Sequence, residues 1–204
     1  MINCILAGVG GQGTVLASKL IAQAAMNKGL NARTAETIGM AQRGGCVVSH
    51  VRIGEGIHSP LIPFGAADAI IGFEPAEAVR CMNYLKQGGT VIVSSRAIKP
   101  VTASLGGSGY DSTKMLEYLR NSSDKVLVVD TETICAECGS SKVINIALLG
   151  AAVASGILSV SFEEMEKTLG QKIPPKYLEM NLKAFRLGFK YVLKENAHDD
   201  RGSV

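Results

Sequence analysis

Gly8-Val9-Gly10-Gly11-Gln12-Gly13 is the densest cluster in this chain of residues able to bring backbone N–H groups to an anion. Gly8, Gly10 and Gly13 have the spacing of a dinucleotide-type turn. The first glycine allows the turn, the second lets the backbone approach a ligand, and the third lets helix pack on strand. With Thr14 opening the helix, unpaired amides and the positive end of the helix dipole are aimed at a phosphate or carboxylate. The plainer alternative is a glycine turn kept only to start a sheet. Glu36 lies near the distance, about 20 residues, at which an acid holds a ribose hydroxyl. A second cluster, Gln42-Arg43-Gly44-Gly45, sets an amide and a guanidinium beside two glycines. That combination can grip an anion by a planar fork plus main-chain N–H groups, or supply an ordinary loop salt bridge. His50 and Arg52 share a face of the following strand. They are possible site residues, although a lone histidine is more often a core or interface residue. Glu74 and Asp130 end strands at the carboxyl edge of the expected sheet, where open α/β folds bind ligands; helix capping is the competing role.

The elements that must position these residues follow from periodicity. Ile2 to Leu6 reads as a buried strand, and Val15 to Lys28 carries apolar residues at helical spacing. Ala32 to Ala35 is a second strand. Cys46 to Ile53 alternates, and Gly54-Glu55-Gly56 with Ile57 to Ile62 suggests a hairpin inserted in a parallel sheet. Ala69 to Phe73 is the next strand, followed by a helix from Pro75 that Gly88-Gly89 would end. Thr90 to Ser94 and Lys125 to Val129 are further strands, flanking a loop over residues 100–111 and a helix over Lys114 to Arg120. Helices fill the chain from Thr131, and Leu178, Leu182, Phe185, Phe189 and Val192 make one stripe between Tyr177 and Lys194. The fold class expected is α/β: a three-layer Rossmann-like sandwich with a mostly parallel, mixed sheet. Residues 1–196 form a single domain, and 197–204 a disordered tail.

Composition narrows the function. The 204 residues carry a net charge of +3, with no dense basic cluster, so no nucleic-acid partner is expected. The N-terminus lacks a secretory pattern, and the apolar run Val143 to Val160 is interrupted by Asn145, Ser155 and Ser159. A buried helix, a soluble cytoplasmic protein and no membrane partner are the expectations. The five cysteines are scattered. Cys135 and Cys138 form a C-x-x-C without a second pair, which favours two small apolar residues over a metal or redox site. No metal site is expected in this chain.

The two glycine clusters carry a family resemblance. Gly8-Val9-Gly10-Gly11-Gln12-Gly13, then Glu36 with Gly39-Met40-Ala41-Gln42-Arg43-Gly44-Gly45, resemble the gamma-type domain of the 2-oxoacid:ferredoxin oxidoreductases. Val48-Ser49-His50-Val51-Arg52, Ser59-Pro60-Leu61-Ile62 and Ala67-Asp68 agree. Phe73-Glu74-Pro75 with Glu77-Ala78 is similar to the small (beta) subunits of the indolepyruvate type. Asn145 to Gly150, and Asn181 with Ala184-Phe185, extend the likeness towards residue 193; the C-x-x-C departs from the pattern.

The resemblance implies a partner-dependent enzyme that oxidatively decarboxylates aryl 2-oxoacids to acyl-CoA, with coenzyme A as co-substrate. Thiamine diphosphate, Mg and 4Fe-4S clusters are expected in a large alpha subunit, with ferredoxin reached through the complex. This chain has no Gly-Asp-Gly with a following Asn-Asn, and no cysteine cluster. The expected binding residues are Gly8, Gly10, Gly11, Gln12, Gly13, Thr14, Glu36, Gln42, Arg43, Gly44 and Gly45, with His50, Arg52 and Glu74 as further candidates and no assigned catalytic residue. Three other readings compete: the gamma subunit of a pyruvate, 2-oxoglutarate or branched-chain enzyme, a non-catalytic nucleotide- or CoA-binding regulatory module, and a free-standing NAD(P)-dependent dehydrogenase.

Overall fold

A computed structural model describes residues 1–38, 45–98 and 110–199. The order of elements is β1 (Ile2–Val9), α1 (Thr14–Asn27), β2 (Ala32–Ile38), β3 (Cys46–Ile53), β4 (Ala67–Gly72), α2 (Pro75–Arg80) and β5 (Leu85–Ser94). Then come α3 (Ser112–Ser122), β6 (Val126–Val129), α4 (Thr131–Cys138), α5 (Ile144–Ala154), α6 (Phe162–Lys172) and α7 (Pro175–Asp199). The strands form one sheet in the order β2-β3-β1-β4-β5-β6. β3 is antiparallel to both β2 and β1, whereas β1-β4, β4-β5 and β5-β6 are parallel. Five strands therefore run one way and β3 alone runs against them.

The sheet is covered on both faces, and the pleat sorts β1 accordingly. Cys4 and Leu6 point into a large core with α1, α5, α6 and α7. Ile5 and Ala7 point into a smaller core with Ala78 of α2 and Leu119 of α3. This is the expected three-layer α/β architecture. Helix α5 is apolar all round because it is buried all round; among the described residues no helix is long and apolar enough to cross a membrane. It crosses α7 at unusually close range. A Cβ on Gly150 would stand 2.1 Å from the Phe185 carbonyl oxygen, and one on Gly188 would stand 1.9 Å from that of Ala147.

Three local expectations need correction. β3 is part of a hairpin, but its partner is β2, paired from Ala32↔Ile53 to Ile38↔Val47, and not Ile57–Ile62. The latter segment is irregular and is held by side chains of β3, described below. The helix from Pro75 stops at Arg80, and β5 begins at Leu85 instead of Thr90. Gly88, with φ 71°, takes up the slack where the β4-β5 register jumps from Ala67↔Leu85 to Ala69↔Thr90. Finally, α7 continues to Asp199, three residues past the expected end of the domain at 196. The expected loop over 100–111 lies outside the described residues up to 109.

Candidate functional site at the carboxyl edge of the sheet

From the end of β1 the chain leaves across one face through α1. From the end of β4 it leaves across the other through α2. The crevice between β1 and β4 is therefore the topological switch point, where open α/β sheets bind ligands. The glycine loop meets Gly45 there. The Gly10 N–H donates to the Gly45 carbonyl at 2.9 Å, joining the glycine loop to the last residue of the second cluster. Gln42, Arg43 and Gly44 lie outside the described residues.

Each glycine of the loop has its own reason. Gly8 is a packing position: a Cβ would meet the Gln12 amide oxygen at 2.7 Å and the Phe73 Cβ at 2.9 Å. Gly13 is left-handed, φ 80°, and caps α1 with no side-chain bond. Gly11, φ 98°, is exposed, and a Cβ there would meet nothing within 4 Å. Gly11 is thus the open point of the loop, where a ligand can lie against the backbone. The first turn of α1 holds no acid, and among the described residues the N–H groups of Thr14, Val15 and Leu16 have no acceptor. Thr14 is itself buried.

Gln12 departs from the expected ligand role. Its side chain is buried, its oxygen accepts from the Val9 N–H at 2.8 Å, and its nitrogen donates to the Phe73 carbonyl at 2.8 Å. The amide bridges the ends of β1 and β4 and forms the floor of the crevice. Glu36 departs as well. Because β3 is inserted between β1 and β2, Glu36 lies on the edge strand, two strand spacings or about 10 Å from β1. It accepts from the Ser18 hydroxyl at 3.3 Å on the flank of α1 and does not reach the glycine loop. The ribose contact of a nucleotide dehydrogenase has no counterpart there.

His50 and Arg52 are braces. The His50 Nδ1 accepts from the Ile62 N–H at 3.2 Å, and burial pushes the imidazole pKa down. The Arg52 guanidinium donates to the Ser59 carbonyl at 2.9 Å and to Asn3 Oδ1 at 3.0 Å. Together they hold the 57–62 segment against β3, on the face away from α1. Asp130 caps α4 through the Thr133 N–H and hydroxyl, which lowers its carboxyl pKa.

Glu74 lies just past the carboxyl end of β4. It caps α2 through the Glu77 N–H at 3.1 Å and accepts from the Tyr110 hydroxyl. It is only 2% exposed, and burial pushes its carboxyl pKa up against the pull of backbone N–H groups such as that of Glu77. Glu77 is equally buried. Its Oε1 meets Arg80 at 2.8 Å, while Oε2 has no hydrogen-bond partner among the described residues. Burial and the Glu77 carboxylate push the Cys46 thiol up to about 11. Cys135 and Cys138 are raised by burial too. Among the described residues no group of three or more His, Cys, Asp or Glu side chains stands ready for a metal ion.

Asn145 is not among the residues that the sequence marks for binding. It is buried at the start of α5, and its Nδ2 lies 3.4 Å from the Gly13 carbonyl oxygen, so it backs the loop directly. A polar residue inside an otherwise apolar run is the available signal. Tyr110 has no such signal.

Comparison with known proteins agrees with this architecture. The sequence profile of the pyruvate ferredoxin/flavodoxin oxidoreductase family matches residues 3–191. The indolepyruvate oxidoreductase subunit IorB of Pyrococcus horikoshii is 37% identical over 190 residues, covering 92% of this chain and 94% of that protein. IorB of Archaeoglobus fulgidus is 37% identical over 193 residues, covering 94% and 96%. Among solved structures, the gamma subunit of a keto/oxoacid ferredoxin oxidoreductase from Geobacter sulfurreducens superposes with a TM-score of 0.70 at 27% identity, over 95% of this chain and 99% of that one. Chain-long similarity and a shared three-layer fold place this protein in the pyruvate ferredoxin/flavodoxin oxidoreductase family, among its gamma-type subunits.

Proposed function

We propose that this chain is the small subunit of a cytoplasmic 2-oxoacid:ferredoxin oxidoreductase of the indolepyruvate type, inactive alone and active with a larger subunit. The observation that supports it most strongly is the 37% identity to IorB proteins over nearly the whole of both chains. In the assembled enzyme, thiamine diphosphate with Mg would supply the decarboxylation chemistry and 4Fe-4S clusters the path to ferredoxin, both held by the larger subunit. The thiols of this chain do not suit a 4Fe-4S cluster: they are scattered and their pKa values are raised by burial.

Its own contribution is anion binding. Thr14, Val15 and Leu16 present amides with no acceptor among the described residues at the positive end of α1, Gly11 leaves room beside them, and Gly10 ties the loop to Gly45. A coenzyme A phosphate or a substrate carboxylate suits that arrangement. Arg43, two residues before Gly45 in the chain, is the natural fork for the same anion, with Gln42 orienting it. Gln12 and Asn145 hold the loop in place without touching the ligand.

Co-expression with the neighbouring large-subunit gene under anaerobic conditions tests the proposal. Purification through a tag on this chain should yield a brown complex. That complex should reduce a viologen dye with indolepyruvate, dependent on coenzyme A, and Arg43→Ala should abolish the reaction. A colourless lone chain would sink the subunit reading, and preference for pyruvate or 2-oxoglutarate would reassign the substrate.

A further inference from the structure

We propose that the free edge of β2, with the groove beside it, receives an extended segment of the larger subunit as a seventh strand of the sheet. This rests on the subunit reading above. β2 is seven residues long and pairs only with β3; no strand among the described residues meets its other edge. Such an edge presents a row of open N–H and C=O groups, which proteins usually blunt with charged side chains (lysine above all), proline, a bulge or a covering element. β2 carries Arg33 and Glu36, the latter turned onto Ser18 of α1, but no lysine or proline, and its pairing with β3 runs without a register break.

The ground beside that edge is apolar. Ala32 and Thr34 border a groove of about 390 Å³ on the α1 face, walled by Leu16, Leu20 and Met26. Leu16 and Met26 are 41% and 48% exposed, large apolar side chains on an otherwise well-covered helix. Lys19 and Lys172 also line the groove, and neither forms an ion pair among the described residues. An open edge beside an apolar groove is the geometry of strand addition. Main-chain bonds supply affinity there, and alternate side chains enter the groove.

The occupant has defined chemistry: an extended segment with large apolar residues at alternate positions and carboxylates placed to meet Lys19 and Lys172. A second copy of this chain fits badly. On the groove side its own β2 offers only Ala32, Thr34 and Glu36, which cannot fill the space, and the Glu36 carboxylate is already engaged with Ser18. The segment therefore belongs to a different chain.

Hydrogen exchange tests this directly on the co-expressed complex. In the wild-type complex, outward-facing β2 amides between Arg33 and Thr37 should exchange at least roughly tenfold more slowly than in the free chain. The double variant Leu16→Asp/Met26→Asp should associate at least roughly tenfold more weakly. It should keep the unfolding midpoint of the free wild type, since both side chains are exposed. If the wild-type complex forms and reduces the dye while β2 exchange is unchanged, the docking proposal falls and the subunit reading stands. β2 protection in the chain alone, accompanied by dimerisation, overturns the choice of occupant. Failure of the wild type to form any complex removes both.

Discussion

At the scale of single residues, the site separates groups that hold the loop from groups that meet a ligand. Gln12 has the residue type of a ligand-binding amide, yet both ends of it are consumed within the chain. Gln12→Ala should therefore lower stability by about 1–3 kcal/mol, since it leaves a buried N–H and a buried carbonyl unpaired; urea unfolding measures it. His50 gives a pH signature. Burial depresses its folded pKa below the ordinary 6.5. The unfolded chain then binds the proton more readily, so the stability His50 contributes is complete above pH 6.5. It is lost as pH falls through the lowered folded value. His50→Asn, which keeps an acceptor without the titration, should reduce the acid-side loss, read as unfolding midpoint between pH 7 and 5. Cys135 and Cys138 carry no such role. Cys135→Ser/Cys138→Ser should leave the dye-reduction rate of the complex unchanged.

At the scale of elements, two kinds of glycine can be told apart by what surrounds them. Gly13 and Gly11 both have positive φ, but only Gly13 has a neighbour in the way: a Cβ there would stand 2.5 Å from the Asn145 amide nitrogen. Gly13→Ala should cost both backbone strain and the Asn145 contact, about 1–3 kcal/mol. Gly11→Ala should cost about 1 kcal/mol of backbone strain and act chiefly on anion affinity, measurable as the coenzyme A dependence of the complex. The crossing of α5 and α7 is a separate case. Gly150→Ala drives a methyl into the Phe185 carbonyl, so the helices must separate along their length. The expected cost is about 3 kcal/mol or somewhat more, with a clear fall in the thermal midpoint.

At the scale of the whole molecule, the sequence determined the elements whose signals are local. The strand, glycine turn and helix from Ile2 to Asn27 are legible, because turn chemistry and apolar period act over a few residues. So are the buried helix α5 and the stripe on α7. Residue types mark Gly10 and Gly45 each as part of a glycine cluster, but the hydrogen bond that joins them is a tertiary contact. The sequence misplaces the partner of β3, the start of β5 and the position of Glu36. Strand pairing is a long-range choice, and a strand inserted between β1 and β2 leaves no mark on the residues it displaces. Only the tertiary structure decided which polar groups face inward. Gln12, His50 and Arg52 are indistinguishable in sequence from ligand-binding residues, and become braces because their hydrogen bonds close on Phe73, Ile62 and Ser59. Likewise, the exposed edge of β2 beside Leu16 and Met26 exists only once the sheet order is set, since an edge is defined by the absence of a neighbour.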